Sequence, residues 1–197
     1  MMKKMHNMLL VAGLSLVSFQ ASAAEWQIDT THSKLNFMSI KKINVAENHQ
    51  FHQFNGTLNS NGKLTVNIDL SSVDTGVAIR DERLKKFFFN VAKYADATFS
   101  AQINPAVVDE LKLGDSAVLS VDGLLSLHGE SKPLALDVMV TKVADNKLLV
   151  VSDAPVLLHV EDYNLVKGVD KLRELAKLPS ISHVVPVSFY LTLNAEK

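Results

Sequence analysis

The sequence predicts an all-β protein whose strands close into an eight-stranded antiparallel β-barrel. Most segments alternate apolar and polar residues with a period of two, short turn-forming runs separate them, and the rows number about eight. An antiparallel sheet of that size with one apolar face either packs as two layers or closes on itself, and closure removes its exposed edges. An immunoglobulin-like sandwich is the alternative.

The chain opens with a different kind of segment. Lys3 and Lys4, an apolar run from Met8 to Phe19 and the small-residue site Ala21-Ser22-Ala23 have the layout of a cleaved secretory signal. The run is too short for a comfortable membrane span, and no later stretch reaches eighteen apolar residues, so stable transmembrane insertion is not expected. Cleavage after Ala23 takes residues 1–23 from the 197 and leaves one domain of 174, residues 24–197, exported to the periplasm. Lys3 and Lys4 leave with the signal, so 18 basic residues face 21 acidic ones, a balance that does not suit a nucleic-acid binder. With no cysteine in the chain, disulfides and thiol chemistry are excluded. Homo-oligomerisation is left open.

After Ala23 the first strand signals are Trp26 to Ile28 and the pair Leu35 and Phe37, followed by Phe51 to Leu58. Asn59-Ser60-Asn61-Gly62 turns the chain into the row Leu64, Val66, Ile68 and Leu70. Asp81 to Phe89 reads as helical and ends in Phe87-Phe88-Phe89, three adjacent rings that no single helix or strand face can hold, so at least one points elsewhere. Phe99, Ala101 and Ile103 resume the alternation, and Leu119, Val121, Gly123, Leu125 and Leu127 extend it. A turn at His128-Gly129-Glu130-Ser131-Lys132-Pro133 leads to Leu134, Leu136, Val138 and Val140. Ala144-Asp145-Asn146 then turns into Leu148 to Val160. Val169, Leu172, Leu175 and Ala176 share one face of a short helix over 169–178, bounded by Gly168 and Pro179, which is too short to stand alone and is expected to lie at a barrel end. Val185, Val187, Phe189, Leu191 and Leu193 close the chain.

Catalytic signatures are sparse. His49 and His52 sit three apart in a strand-like stretch, which sends their rings to opposite faces and disfavours a shared metal. Ser33 follows His32 without a GxSxG elbow, and neither HExxH nor a Rossmann or Walker glycine pattern occurs. Asp29, His32 and His128 could meet in space, but their ordinary role is to satisfy turn backbone. Gly56 and Gly123 interrupt strand rows, most simply as bends.

What remains is an apolar interior. The inward candidates are Leu35, Phe37, Phe54, Phe99, Leu125, Leu136, Val138, Val187 and Phe189, none of them charged. An eight-stranded barrel can be filled by its own side chains or hold one small ligand. Lined this way, a cavity accepts an aliphatic or isoprenoid tail and rejects a sugar or nucleotide. Neither catalytic residues nor a metal are expected, and no cofactor is required. A packed core, with the Phe87 to Phe89 region engaging a partner, is one alternative, and an enzyme acting on a lipid-like or stress-related substrate is another.

Several pieces in fixed order resemble the YceI-like bacterial exported proteins. They are Trp26-Gln27-Ile28-Asp29, His32-Ser33, Phe37, Phe51, Phe54 and Gly56, then Ser72-Val73-Asp74-Thr75-Gly76 and Arg80-Asp81-Glu82-Arg83-Leu84. Phe88, Tyr94, Ala97-Thr98-Phe99, Leu125-Ser126-Leu127-His128-Gly129 and Lys132-Pro133 complete the match, which spans nearly all of residues 25–193. The resemblance implies an extended lipocalin-like barrel, and a long polyisoprenoid such as a polyprenyl quinone precursor bound along a channel lined by Phe37, Phe54, Phe99 and the facing aliphatics. Glu161-Asp162-Tyr163-Asn164-Leu165 and the helix after it depart from the family pattern, so the implication is firmer for the tail than for the head group.

Overall fold

The computed structural model describes residues 25–196; the expected signal, residues 1–23, lies outside them. Eleven strands form among the described residues: β1 (Trp26–Lys41), β2 (Val45–Phe51), β3 (Phe54–Leu58), β4 (Lys63–Asp69), β5 (Val73–Asp74), β6 (Asp96–Gln102), β7 (Ser116–Leu127), β8 (Glu130–Ala144), β9 (Lys147–Ser152), β10 (Val156–His159) and β11 (Val184–Ala195). Eight of them close an antiparallel barrel in the order β1-β3-β4-β6-β7-β8-β9-β11, with β11 returning to β1. The closing seam pairs Trp26 with Ala195 and, beyond a register shift between Asp29 and Lys34, Lys34 with Tyr190. The sandwich alternative is thereby excluded.

The other three strands lengthen the wall. β2 pairs with the second half of β1 and carries β5 at its edge, while β10 pairs with the first half of β11. Two stretches that read as single strands are therefore broken. Between β2 and β3 the chain turns at His52 and Gln53, whose amides bond Ser72 O at 3.2 Å and Ser72 Oγ at 3.0 Å instead of a neighbouring strand. Between β9 and β10 stands Pro155, which has no amide hydrogen for a ladder. In the opposite sense, Trp26 to Ile28 and Leu35 to Phe37 belong to one long strand.

Short helices close the two ends. At one end lies α2 (Ala106–Asp109), a single turn too short to leave a periodic signature in the sequence. At the other, α1 (Ala78–Arg83) runs into a π-helical turn, Leu84–Phe88, and α3 (Val166–Leu175) packs on that turn. The wider turn, with Phe89 N bonded to Leu84 O at 2.9 Å, distributes the three rings. Phe89 is buried, Phe88 packs against the core, and Phe87 stands toward solvent beside the Lys86 ammonium.

The third helix begins and ends three residues earlier than the 169–178 expected. Asn164, at φ 55°, ends the preceding 3₁₀ turn Val160–Tyr163 and frees Val166 to start the helix. Lys177, at φ 52°, stops it in a Schellman arrangement in which Leu178 N bonds Arg173 O and Lys177 N bonds Glu174 O, both at 3.0 Å. Gly168 lies inside the helix because a Cβ there would sit 2.9 Å from Phe88 Cα and 3.0 Å from Phe87 O. Among the described residues no helix is long and apolar enough to cross a membrane.

Candidate functional site

Two apolar cavities lie inside the barrel, of about 180 and about 160 Å³. They share Leu35, Ile68, Leu125, Leu158 and Val187, which form a waist between them. The first runs toward α2, where Ile103 and Val108 border it; the second runs toward α3 and the π turn, where Leu84, Phe88, Phe89 and Val169 border it. Among the described residues no acid, lysine or arginine lines either one.

The inward rows of the strands build these walls because alternate residues of a strand face the same side. Leu35, Phe54, Phe99, Leu125, Leu136, Val138, Val187 and Phe189 border the first cavity; Phe37 borders the second, together with Leu35, Leu125 and Val187. All nine residues picked out in the sequence thus border one cavity or both. The glycines in the rows are sites of close approach. A Cβ on Gly123 would lie 2.4 Å from Phe99 Cζ and 2.6 Å from Ser100 O, and one on Gly56 would lie 2.6 Å from Ile28 Cδ1 and 2.8 Å from Thr65 O. Gly123 therefore leaves the space that the Phe99 ring fills.

The second cavity also has polar neighbours that were not among the expected site residues. Ser39, Ser182 and His159 line it, as does Tyr163, whose phenol is pushed above its ordinary pKa by burial. Ser39 shares a face with Leu35 and Phe37, so extending the period-two row by one step would have found it. His49, paired with Phe37 across the ladder, is only 4 % exposed and shares a 2.8 Å hydrogen bond with Ser39 Oγ through Nε2. Burial of the ring, reinforced by the nearby Arg80 cation, lowers its pKa. Beyond it, Glu47 Oε2 accepts from Lys41 Nζ and from Arg80 Nη1, each at 2.6 Å. The wall of β1 and β2 therefore passes from apolar to neutral polar to an ion cluster along its length.

The other chemistry-bearing residues have structural work. His52 lies past the end of β2, in the turn before β3, exposed, with Nε2 2.8 Å from Asp74 Oδ2. His32 Nδ1 lies 2.8 Å from Asp29 Oδ2, but Ser33 Oγ is committed to backbone, donating to Asp29 O and accepting from Thr192 N. His128 does not join them; its ring lies against Tyr94 and its Nδ1 is 3.2 Å from Tyr163 O. Among the described residues no cluster of three or more His, Asp or Glu side chains could hold a metal.

The motif Ser72-Val73-Asp74-Thr75-Gly76 is a clamp. Asp74 accepts from Gly76 N at 2.7 Å, and Asp81 accepts from Thr75 N and Oγ1, which fixes the entry to α1. The Gly76 amide, and after it His52, hold the Asp74 carboxyl down from 3.8 to about 2. A carboxyl with a depressed folded-state pKa contributes stability that is present above its unfolded value and lost as pH falls through the folded one. Denaturant midpoints are therefore expected to fall as pH drops from 3.8 to about 2, and Asp74→Asn should flatten that part of the profile. A carboxyl ¹³C titration of Asp74 with its midpoint at the ordinary value would contradict this.

The YceI-like domain model matches residues 26–193. Protein YceI of Salmonella newport is 34% identical over 146 residues, covering 69% of this chain and 72% of that protein. A UPF0312 protein of Vibrio cholerae serotype O1 is 30% identical over 146 residues, covering 69% of this chain and 73% of the relative. Among solved structures, a polyisoprenoid binding domain from Saccharophagus degradans superposes with a TM-score of 0.85 at 34% identity, over 87% of this chain and 98% of that one. Burkholderia cenocepacia BcnA shares the fold at a TM-score of 0.62 and 20% identity, over 84% of this chain and 98% of that one. A closed barrel with an apolar interior, matched along nearly its whole length, places this chain in the YceI-like family.

Proposed function

We propose that this protein binds a long apolar isoprenoid or similar lipid inside the barrel and carries or sequesters it without transforming it. The observation that supports this most is the pair of cavities that share a waist, with no acid, lysine or arginine in the lining among the described residues. Apolar-lined cavities of roughly 150 Å³ stay dry and accept apolar guests. Each buried CH₂ of a guest is worth about 0.8 kcal/mol, so ten offer roughly 8 kcal/mol before ordering costs are subtracted. The likeness to the Saccharophagus degradans polyisoprenoid binding domain points to the same ligand class. Leu35, Phe37, Phe54, Phe99, Leu125, Leu136, Val138, Val187 and Phe189 are the proposed contacts with the tail. The working form is the domain 24–197 in the periplasm, released from its signal after Ala23.

Native mass spectrometry of protein isolated from its host, followed by organic extraction, tests both parts. The expected result is a mass lacking residues 1–23 and one long apolar molecule recovered per chain. Protein that is consistently empty and also fails to take up offered polyprenols would overturn the binding reading.

A further inference from the structure

Charge is unevenly divided along the barrel. The end that closes the second cavity is built from the β1–β2 hairpin over 41–47, the stretch 74–93 that holds α1 and the π turn, and residues 160–181 around α3. These segments carry 11 basic residues and 8 acidic ones, whereas the rest of residues 24–197 carries 7 basic and 13 acidic. Six of the eight carboxylates are already held: Glu47 by Lys41 and Arg80, Asp74 and Asp81 within the clamp, Glu161 by His183, Asp170 by Arg173 and Glu174 by Lys171. Among the described residues, Lys42, Lys85, Lys86, Lys93, Lys167 and Lys177 make no ion pair. The cap is therefore rich in cations whose charge nothing nearby answers.

Apolar side chains stand exposed on the same cap. Ile43, in the β1–β2 turn, is 87 % exposed and Ile79 is 54 % exposed, and Val77 and Phe87 also face solvent. Ile79, Arg83 and Phe87 follow at four-residue steps along α1 and the π turn, which places them on one face. The Lys86 ammonium lies 5.3 Å from the centre of the Phe87 ring. The three segments are tied together: Lys42 N bonds Ser180 O at 3.1 Å, Arg80 Nη1 reaches Glu47 Oε2, and Arg83 Nη1 lies 3.4 Å from Leu175 O.

We propose that this cap is a docking surface for an anionic phospholipid bilayer, with its unpaired lysines among the phosphate head groups and Ile43, Val77, Ile79 and Phe87 in the interface beneath them. Separate apolar side chains interspersed with cations suit a bilayer interface, where binding grows with buried apolar area and with attraction to anionic lipid together. A protein partner would call for a contiguous apolar patch, and a soluble polyanion would leave the apolar side chains without a role. Docked in this way, the protein presents to the membrane the end of the second cavity that Leu84, Phe88 and Val169 border. Docking goes beyond the lipid-binding reading and does not require that the barrel be filled.

Flotation of protein isolated from its host with vesicles of phosphatidylcholine, or of phosphatidylcholine and phosphatidylglycerol in equal parts, tests the proposal. The wild-type protein is expected to float with the anionic vesicles alone, and less as ionic strength rises. Removing two cations with Lys85→Gln and Lys86→Gln should weaken the partition roughly 25-fold, about fivefold for each. Ile79→Ser with Phe87→Ser should weaken it roughly tenfold and leave any binding of soluble heparin unchanged. Lys112→Gln with Lys142→Gln, at the α2 end, should change nothing. Should a variant fail to fold, the dependence of the wild type on anionic lipid and on salt still decides. Absence of flotation, equal flotation with both vesicles, equal losses from the two lysine pairs, or no loss from the Ile79 and Phe87 pair would overturn docking. Self-association that the Lys85 and Lys86 pair abolishes, without flotation, would assign the cap to a second copy instead. A lipid extracted from protein that does not float would overturn docking and leave the binding reading intact.

Discussion

Replacing Phe54 with Asp is expected to weaken polyprenol binding at least ~100-fold, whereas Phe54→Leu should keep most of the affinity. Phe54 is buried in the wall of the first cavity, opposite Ile68 across the β3–β4 ladder. An aspartate there must be desolvated, be protonated or compete with the tail for space, and each of these costs several kcal/mol. Leucine removes aromatic area and adds no charge. The comparison is made on variants whose denaturant midpoints show them folded, because the same aspartate in a fully packed core would act on stability instead. Equal affinity of folded Phe54→Asp and wild type would show that this wall is not in contact with the ligand. Unfolding of the variant, together with a wild-type protein that admits no guest, would favour the packed core.

The second large effect belongs to Gly123. Gly123→Val is expected to lower stability by about 1–3 kcal/mol or more, because the new Cβ meets Ser100 O at 2.6 Å as well as the Phe99 ring. A ring can rotate away, but a carbonyl in the β6–β7 ladder cannot move without breaking the pairing that holds the barrel closed. A Phe99 ring that does turn aside moves into the first cavity, so ligand uptake should fall with stability. Gly76 is the control. Its φ of +72° strains any other residue, yet nothing lies within 4 Å of where a Cβ would be, so Gly76→Ala should cost only roughly 1 kcal/mol. Urea denaturation of the two variants separates packing from backbone strain. Equal midpoints would mean that the Phe99–Gly123 contact is not rigid.

Where the sequence misled, the local signal pointed to the wrong cause. Gly168 before an amphipathic run and Pro179 after it look like helix boundaries, yet the glycine is there so that α3 can approach the Phe88 backbone. The stop comes from Lys177 in a left-handed conformation usually left to glycine or asparagine. Similarly, the glycines in the β3 and β7 rows mark room for Ile28 and Phe99 on neighbouring strands, and nothing in either row by itself says so.

The all-β class, the inward rows and the apolar character of the interior were determined by the sequence alone, because side-chain direction in a strand depends only on whether a position is odd or even. Only the tertiary structure decided how the rows meet. The seam joining Trp26 to Ala195 brings together the two ends of the domain, and no local pattern encodes such a pairing. The division of the interior into two cavities depends on five side chains from separate elements converging at one waist. The contact between Ser39 and His49 likewise needs the register of β1 against β2, which sets Phe37 opposite His49 and Glu47 opposite Ser39. Alternation assigns each residue a face, but register and closure assign it a neighbour, and a binding site is made of neighbours.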